Sequence, residues 1–259
     1  MLERILDIAR ADPRIRALLL SGSRGSGTED AVSDWDLIAI AAPEEHVDIA
    51  RRWIAAFDDA VFHQSFERGT VLVNLVLRDW SRIDLLLRPT GHVAGLDPAR
   101  MRVLLDQDGH CTDLASQPAP PPASAGFIEA QVNEFLRVLG LLHVCAARND
   151  WVLGLSGCGL LHGRFVTLLR AEDPAPQPGG ILHLKADLPE DSYAALAALP
   201  VPDATREGIV RAHAAIAAAT LPRARRLLEA RGGTWPQAFE DATLTMLETR
   251  VAGFTCPRT

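Results

Sequence analysis

Residues 18–40 read LLLSGSRGSGTEDAVSDWDLIAI, and this stretch decides how the first half of the chain folds. An apolar run ends at residue 20, a turn rich in glycine and serine follows, and a second apolar run begins after Asp36. Short apolar runs bounded by glycine predict buried strands joined by a tight turn. Glycines in such a turn let the backbone approach a phosphate closely, and the hydroxyl of Ser23 can donate to a phosphate oxygen.

Three interpretations of this glycine turn compete. Gly22 and Gly27 have the spacing of a P-loop, but Thr28 and Glu29 stand where that motif needs a lysine followed by a hydroxyl residue, so a P-loop is excluded. A dinucleotide-binding fingerprint is excluded too, because Gly22, Gly25 and Gly27 do not give the GxGxxG spacing. An ordinary flexible turn stays open beside a phosphate-binding one.

Two carboxylates follow the turn. Asp34 and Asp36 are two residues apart in an extended segment, so their side chains point to the same face. Like charges this close repel, and burying an unpaired carboxylate is costly, so a cation between the two would stabilise them. Most such pairs are solvated acidic turns, but here Asp36 leads directly into the apolar residues 37–40. This context favours a metal site.

A third carboxylate interrupts the apolar strand predicted for residues 82–87, RIDLLL. Strand alternation places Ile83, Leu85 and Leu87 on one face and Asp84 on the other. An aspartate inside an apolar strand is disfavoured unless a cation receives it. If this strand lies near that of Asp36, three carboxylates surround one site with the hard oxygen ligands that Mg²⁺ prefers.

Composition and charge exclude several classes of protein. Hydrophobic residues make up 48% and charged residues 23% of the 259-residue chain, which is typical of a globular protein and excludes a disordered one. No apolar run approaches the ~18 residues of a membrane span. The formal charge is -7, and residues 1–125 hold 19 acidic and 13 basic side chains. This excess of acid argues against nucleic-acid binding and suits a divalent metal and a small cationic substrate.

The N-terminus and the cysteines indicate a compartment. Charged residues within the first ten positions exclude a secretory signal. The four cysteines are far apart and form no CxxC pair, which is typical of reduced thiols rather than of disulfides or a zinc site. We therefore expect a cytoplasmic protein, and the sequence makes no prediction of its oligomeric state.

A Pro-dense stretch, SQPAPPPAS at residues 116–124, separates two halves of different character. Before it, strands are predicted over residues 15–20, 36–41, 61–66, 70–77 and 82–87, and helices over 2–10 and 44–57. After it, only helices are predicted, over residues 127–148, 160–169, 193–199, 206–219, 222–230 and 235–252. The expected fold class is α+β, with a mixed β-sheet and flanking helices over residues 1–115, a Pro-rich linker over 116–126 and a helical bundle over 127–259.

The ordered set of Gly22-Ser23, Asp34-x-Asp36 and Asp84 resembles the nucleotidyltransferase superfamily that includes DNA polymerase beta. Further pieces resemble the aminoglycoside (streptomycin) 6-adenylyltransferase family more closely, over most of the chain: GSR at residues 22–24, SDWD at 33–36, IDL at 83–85 near Pro89, LDQDG at 105–109 and VNEF at 132–135. The resemblance implies an N-terminal mixed sheet with helices followed by a helical substrate-binding bundle.

The resemblance also implies roles for single residues. Gly22 and Ser23 would hold the triphosphate of ATP, with Arg24 close to it, and Asp34 and Asp36 would bind Mg²⁺. Asp84 has the position of a third carboxylate, which serves as metal ligand, as general base, or as both.

The implied reaction transfers AMP from ATP, with two Mg²⁺ ions, to a hydroxyl group of a small molecule. An aminoglycoside antibiotic is the first candidate for this acceptor, and resistance to it the implied physiological role.

Two residues of the helical half are further candidates. Glu134 is a candidate second base, or a carboxylate that binds an ammonium group of the acceptor; the alternative is a solvated ion pair with Arg137, three residues along the helix. Lys185 is the only lysine beside 25 arginines. A nucleotide-phosphate contact that needs a compact ammonium would explain its retention, and chance retention on the surface is an equal alternative.

Two alternative functions stay open. One is nucleotidyl transfer to a tRNA end or a protein hydroxyl; the acidic charge argues against tRNA. The other is a catalytically silent nucleotide-binding module. The presence of three carboxylates argues against such a module, and an Asp84 turned away from Asp34 and Asp36 would favour it.

Overall fold

The computed structural model describes residues 1–67, 69–89, 96–112, 114, 118, 121–175 and 181–259. The chain divides into two units, Met1–Pro118 and Ala119–Thr259. The division falls within the stretch predicted as a linker, of which residues 116, 117, 119 and 120 lie outside the described residues. The predicted bounds of domains and linker stay a prediction.

The first unit contains a mixed sheet, as predicted, and its described residues form six strands where five were predicted. Its strands are β1 (Ala17–Leu20), β2 (Trp35–Ala41), β3 (Ala60–Glu67), β4 (Val71–Leu77), β5 (Arg82–Pro89) and β6 (Arg102–Asp106). Their order in the sheet is β3-β4-β5-β2-β1-β6. Strands β2 and β5 are parallel, and the other neighbours are antiparallel.

Two amphipathic helices cover one face of this sheet. Helix α1 (Leu2–Arg10) buries Ile5 and Ala9, and helix α3 (His46–Ala56) buries Ile49 and Trp53. These side chains pack in one apolar cluster with every second residue of β4 and β5. Because strand residues alternate between faces, the residues in between, including Asp84, lie on the opposite face of the sheet.

Two parts of the first unit differ from the prediction. The glycine turn contains a short helix, α2 (Gly22–Ser26), where only a turn is predicted. Strand β6 is not predicted, since it is a short edge strand whose Val103 is exposed and which pairs only with β1. The Asp106 carboxylate ends this strand by accepting the backbone N–H groups of His110 and Cys111, each at 2.9 Å.

The second unit is helical, as predicted. Its helices are α4 (Ala125–Gly140), α5 (Leu142–Arg148), α6 (Trp151–Glu172), α7 (Leu184–Asp187), α8 (Glu190–Ala197), α9 (Arg206–Ala230) and α10 (Gln237–Arg250). The side chains of Ser124, Asp150 and Thr205 each accept one free backbone N–H group in the first turn of α4, α6 and α9, respectively, and so fix where these helices begin. The four longest helices share one apolar core.

Two predicted helix boundaries are displaced. Residues 127–148, predicted as one helix, belong to α4 and α5, which are divided at Leu141. Residues 206–219 and 222–230, predicted as two helices, belong to the single helix α9, which contains Pro222. Proline removes one backbone hydrogen bond, but burial of Leu221 and Ala224 on either side of it holds the helix together.

Helix α6 is, within the described part of the chain, the one helix long and apolar enough by length and composition to cross a membrane. Its Cys158, Leu161 and Leu168 belong to the apolar core of the second unit, and Phe165 belongs to a smaller cluster with Leu188 and Leu196. Packing inside the bundle thus accounts for these buried apolar side chains.

Candidate active site

The pairing of the parallel strands β2 and β5 brings the three predicted carboxylates close together. Asp36 on β2 pairs with Asp84 on β5, and Asp34 lies two residues before Asp36. One carboxylate oxygen from each of the three lies within 4.8 Å of the others, and all three residues are partly buried. Asp84 is therefore turned towards Asp34 and Asp36, which is the opposite of the arrangement that would favour a silent module.

Asn74 and Arg82 each contact one of these three carboxylates. Asn74 pairs with Asp84 across β4 and β5, and its Nδ2 donates to Asp84 Oδ1 at 2.7 Å. Arg82 Nη2 lies 3.4 Å from Asp34 Oδ2. Asn74 was not predicted as a site residue, although a polar residue within the apolar strand VLVNLVL is a signal that could have identified it.

The glycine turn lies directly against the carboxylates. Gly22 has φ +62°, and a Cβ atom there would lie 2.1 Å from Asp36 Oδ2, so a larger residue would displace that carboxylate. The backbone N–H of Ser21 donates to the Asp36 carbonyl at 2.7 Å. At Gly25 a Cβ would lie 2.5 Å from the Leu20 carbonyl oxygen, so a second glycine lets the turn close. Ser23 lies within this turn and is partly buried.

Arg24 extends from the same turn to the segment that carries Asp34. Its Nε donates to the Asp34 carbonyl at 2.9 Å, and its Nη2 donates to the Ser33 carbonyl at 2.8 Å. Its guanidinium carbon lies 4.2 Å from the ring centroid of Trp35. The predicted proximity of Arg24 to a triphosphate stays a prediction, and these contacts join Arg24 to the backbone beside a predicted metal ligand.

The two candidates of the helical half lie in the second unit. Glu134 accepts two hydrogen bonds from Arg137, at 2.7 and 2.8 Å, and this guanidinium lowers the pKa of the Glu134 carboxyl. This ion pair with Arg137 is the predicted alternative to a catalytic role of Glu134. Lys185 is exposed on α7. The catalytic role of Glu134 and the nucleotide contact of Lys185 stay predictions.

Two aspartates of the LDQDG stretch, residues 105–109, make hydrogen bonds at the edge of the sheet. Asp106 ends strand β6, as described above, and Asp108 accepts a hydrogen bond from Arg16 Nε at 2.6 Å. Arg16 immediately precedes β1, so this pair ties the end of β6 to the start of β1. These two carboxylates therefore stabilise the edge of the sheet.

The chain was compared with protein families and with solved structures. The streptomycin adenylyltransferase family matches residues 1–153, more than half of the chain. Among solved structures, the chain is similar to an aminoglycoside 6-adenyltransferase from Bacillus subtilis, with 16% identity, 95% of both chains covered and a TM-score of 0.45. It is also similar to a nucleotidyltransferase-like protein from Exiguobacterium sibiricum, with 13% identity, 95% of this chain and 88% of that one covered, and a TM-score of 0.39.

No curated protein sequence matches the chain. The family match covers the glycine turn and all three carboxylates. The chain therefore belongs to the streptomycin adenylyltransferase family and is a nucleotidyltransferase.

Proposed function

We propose that this nucleotidyltransferase transfers AMP from ATP to a hydroxyl group of an aminoglycoside antibiotic, with two Mg²⁺ ions at the three carboxylates. The observation that carries the proposal is the convergence of Asp34, Asp36 and Asp84 within 4.8 Å, beside a turn in which Gly22 leaves no room for a side chain. The family supplies nucleotidyl transfer; the donor, the metal and the acceptor are the proposal.

The donor set suits Mg²⁺. Three negative charges converge, each side chain is only partly buried, and all the ligand atoms are hard oxygens. Mg²⁺ is bound in proteins by a few carboxylates and completes its shell with water and substrate phosphates. When bound, Mg²⁺ neutralises charge on the triphosphate and lowers the pKa of the attacking hydroxyl.

The protein's own residues divide the remaining work. We assign the triphosphate to the turn at Gly22 and Ser23, because the missing side chain at Gly22 lets this turn lie directly against the Asp36 carboxylate. Asn74 holds Oδ1 of Asp84, so the second oxygen of that carboxylate is our candidate to accept the hydroxyl proton. Glu134 is the second candidate for this base.

The bond changes are those of one in-line displacement. The acceptor oxygen forms a bond to the α-phosphorus, and the bond from that phosphorus to the bridging oxygen of the β-phosphate breaks. Pyrophosphate leaves, and the hydroxyl proton passes to the base. The protein therefore acts mainly by positioning the two substrates and by neutralising charge.

Charge supports a cationic acceptor. The formal charge is -7, and the excess of acid lies mostly in residues 1–125. A negative protein attracts a polycation and raises its local concentration. All four cysteines are free and buried, which suits the reducing cytoplasm where ATP and a resistance enzyme would meet.

Mass spectrometry tests the proposal. The full chain is incubated with Mg²⁺, ATP and a pool of aminoglycosides and lincosamides. We expect an aminoglycoside heavier by one AMP group. Asp36→Asn should give no product, whereas Glu67→Gln, which removes an exposed carboxylate from the edge strand β3, should give as much as the wild type.

Two outcomes would contradict the proposal, one its acceptor and the other its metal site. If the protein binds ATP in a thermal-shift assay but modifies no aminoglycoside, the acceptor is wrong. If Asp36→Asn turns over like the wild type, the metal assignment is wrong.

A further inference from the structure

Asp34 stands just outside the sheet, and Arg24 supports it there. Strand β2 begins at Trp35, so the pairing of β2 with β5 holds Asp36 but does not extend to Asp34. Two hydrogen bonds from Arg24, at 2.9 and 2.8 Å, hold the carbonyls of Asp34 and Ser33 instead. The backbone that aims this carboxylate is therefore fixed by a side chain.

The contacts of Arg24 require a guanidinium. Two neighbouring donors of one planar group meet two successive carbonyls, and the central carbon of that group lies over the ring of Trp35, 4.2 Å from its centroid. A lysine ammonium is a compact point charge, and it cannot form this fork and stack on the ring at once. Lysine at this position would keep the positive charge but could not make the two hydrogen bonds and the ring contact together.

Arg24 also connects two parts of the site. It lies in α2, the turn whose Gly22 abuts Asp36, and it reaches the segment that carries Asp34. The turn and the carboxylate segment are thus joined through one side chain. A second arginine, Arg82, contacts the Asp34 carboxylate itself, with Nη2 3.4 Å from Oδ2.

We propose that Arg24 is a positioning residue for the metal site: it holds the carbonyls of Ser33 and Asp34 and the ring of Trp35, so that Asp34 converges with Asp36 and Asp84. This inference rests on the proposed function, since it presumes that the three carboxylates bind a divalent cation. It assigns to Arg24 an effect on metal binding that exists before any nucleotide arrives. A direct contact with the triphosphate would have no such effect.

The experiment measures Mn²⁺ binding to the full-length, nucleotide-free protein by electron paramagnetic resonance, in which free Mn²⁺ gives the signal. The variants are Arg24→Lys, Trp35→Leu and Trp35→Phe. Arg4→Lys is the matched control, because Arg4 also stacks on a ring, 4.6 Å from the Phe57 centroid, and also donates to a backbone carbonyl, that of Ala56. Melting temperatures show whether each variant is folded, and kcat and the KM for ATP are measured at saturating Mg²⁺.

We expect Arg24→Lys and Trp35→Leu to weaken Mn²⁺ binding by about tenfold, the scale on which residues that orient metal ligands act. Trp35→Phe keeps a ring under the guanidinium and should restore most of the affinity, and Arg4→Lys should bind like the wild type. The KM for ATP of Arg24→Lys should stay near the wild-type value once Mg²⁺ is saturating.

Unchanged Mn²⁺ affinity in folded Arg24→Lys would overturn the inference, and a raised KM for ATP in that variant would assign Arg24 to the triphosphate instead. A different result tests the proposed function itself. If the wild type does not bind Mn²⁺, or if Asp36→Asn binds it equally well, the metal site is wrong, and the inference fails together with it.

Discussion

Glu240 in the second unit and the three aspartates of the candidate site in the first unit have opposite surroundings. In the second unit, Glu240 is fully buried, and donors of the protein surround it: Trp235 Nε1 at 2.7 Å from Oε2, and the backbone N–H and hydroxyl of Thr259 at 3.1 and 2.8 Å from Oε1. In the first unit, Asp34, Asp36 and Asp84 are partly buried and face one another.

Under the proposed function, this difference separates an acid that stabilises the fold from acids that bind a ligand. A buried carboxylate whose oxygens accept several internal hydrogen bonds stabilises its surroundings, because those donors would otherwise be left without an acceptor. Carboxylates that converge repel one another, and they persist where a cation or a substrate uses them. We therefore expect mutations of the two kinds of acid to have separable effects on activity and on stability.

Asp84→Asn should have the largest effect on activity. We expect kcat/KM to fall by about a thousandfold, since several kcal/mol of charge stabilisation in the transition state is lost. The free energy of unfolding should be unchanged or higher, because one of three repelling charges is removed. Steady-state kinetics measures kcat/KM, and urea denaturation measures the free energy of unfolding. A variant that loses stability but keeps its turnover would contradict the distinction between the two kinds of acid.

Glu240→Leu should have the reverse effect. It leaves the Trp235 N–H and the two Thr259 donors without their acceptor, so we expect the free energy of unfolding to fall by about 2 to 3 kcal/mol. The turnover of the protein that remains folded should match the wild type. Glu240→Gln keeps an acceptor oxygen and is the milder control in the same denaturation series; equal stability of the leucine variant and the wild type would contradict the role given to Glu240.

The smallest expected effect is a pH dependence of stability from the second unit. His213 is buried, its Nδ1 lies 2.9 Å from the Ile209 carbonyl oxygen and 3.3 Å from Cys158 Sγ, and burial lowers its pKa below the usual 6.5. Below pH 6.5 the unfolded chain binds a proton that the folded protein excludes. The stability contributed by neutral His213 is therefore complete above that pH and declines as the pH falls.

Melting temperatures at about pH 7.5 and about pH 5.5 check this sign, because the two conditions bracket the ordinary pKa of histidine. The wild type should lose more on acidification than His213→Leu does. Equal losses in the two proteins would show that His213 does not contribute to the pH dependence.

The three aspartates could be predicted as candidates because their signals are local, whereas their convergence was predicted only on the condition that the strand of Asp84 lies near that of Asp36. Alternation in a strand places Asp34 and Asp36 on one face, and an acid within the apolar strand of Asp84 indicates a site. Pairing of β2 with β5 then brings these faces together. The mixed sheet and the helical second half followed from periodicity in the same way.

The remaining features depend on partners that local patterns do not identify. Glu240 looks like any glutamate of an amphipathic helix, and its burial depends on Thr259, far along the chain. The guanidinium of Arg24 is placed by side-chain conformation and by the shape of the glycine turn, neither of which has a signature in the sequence. Strand β6 is short and partly exposed, so its residues show only a weak strand pattern. Its pairing with β1 makes it a strand, and this pairing has no local signal.

The parallel pairing of β2 with β5 sets an order of events during synthesis. The chain makes Asp34 and Asp36 early, then passes through α3, β3 and β4 before it reaches Asp84. A nascent chain that ends before β5 holds two of the three carboxylates and cannot complete the site. If the three carboxylates bind a cation as proposed, the addition of β5 between β4 and β2 is the step that creates this affinity, and the bound cation then favours the sheet that contains β5 over partly folded forms that lack it.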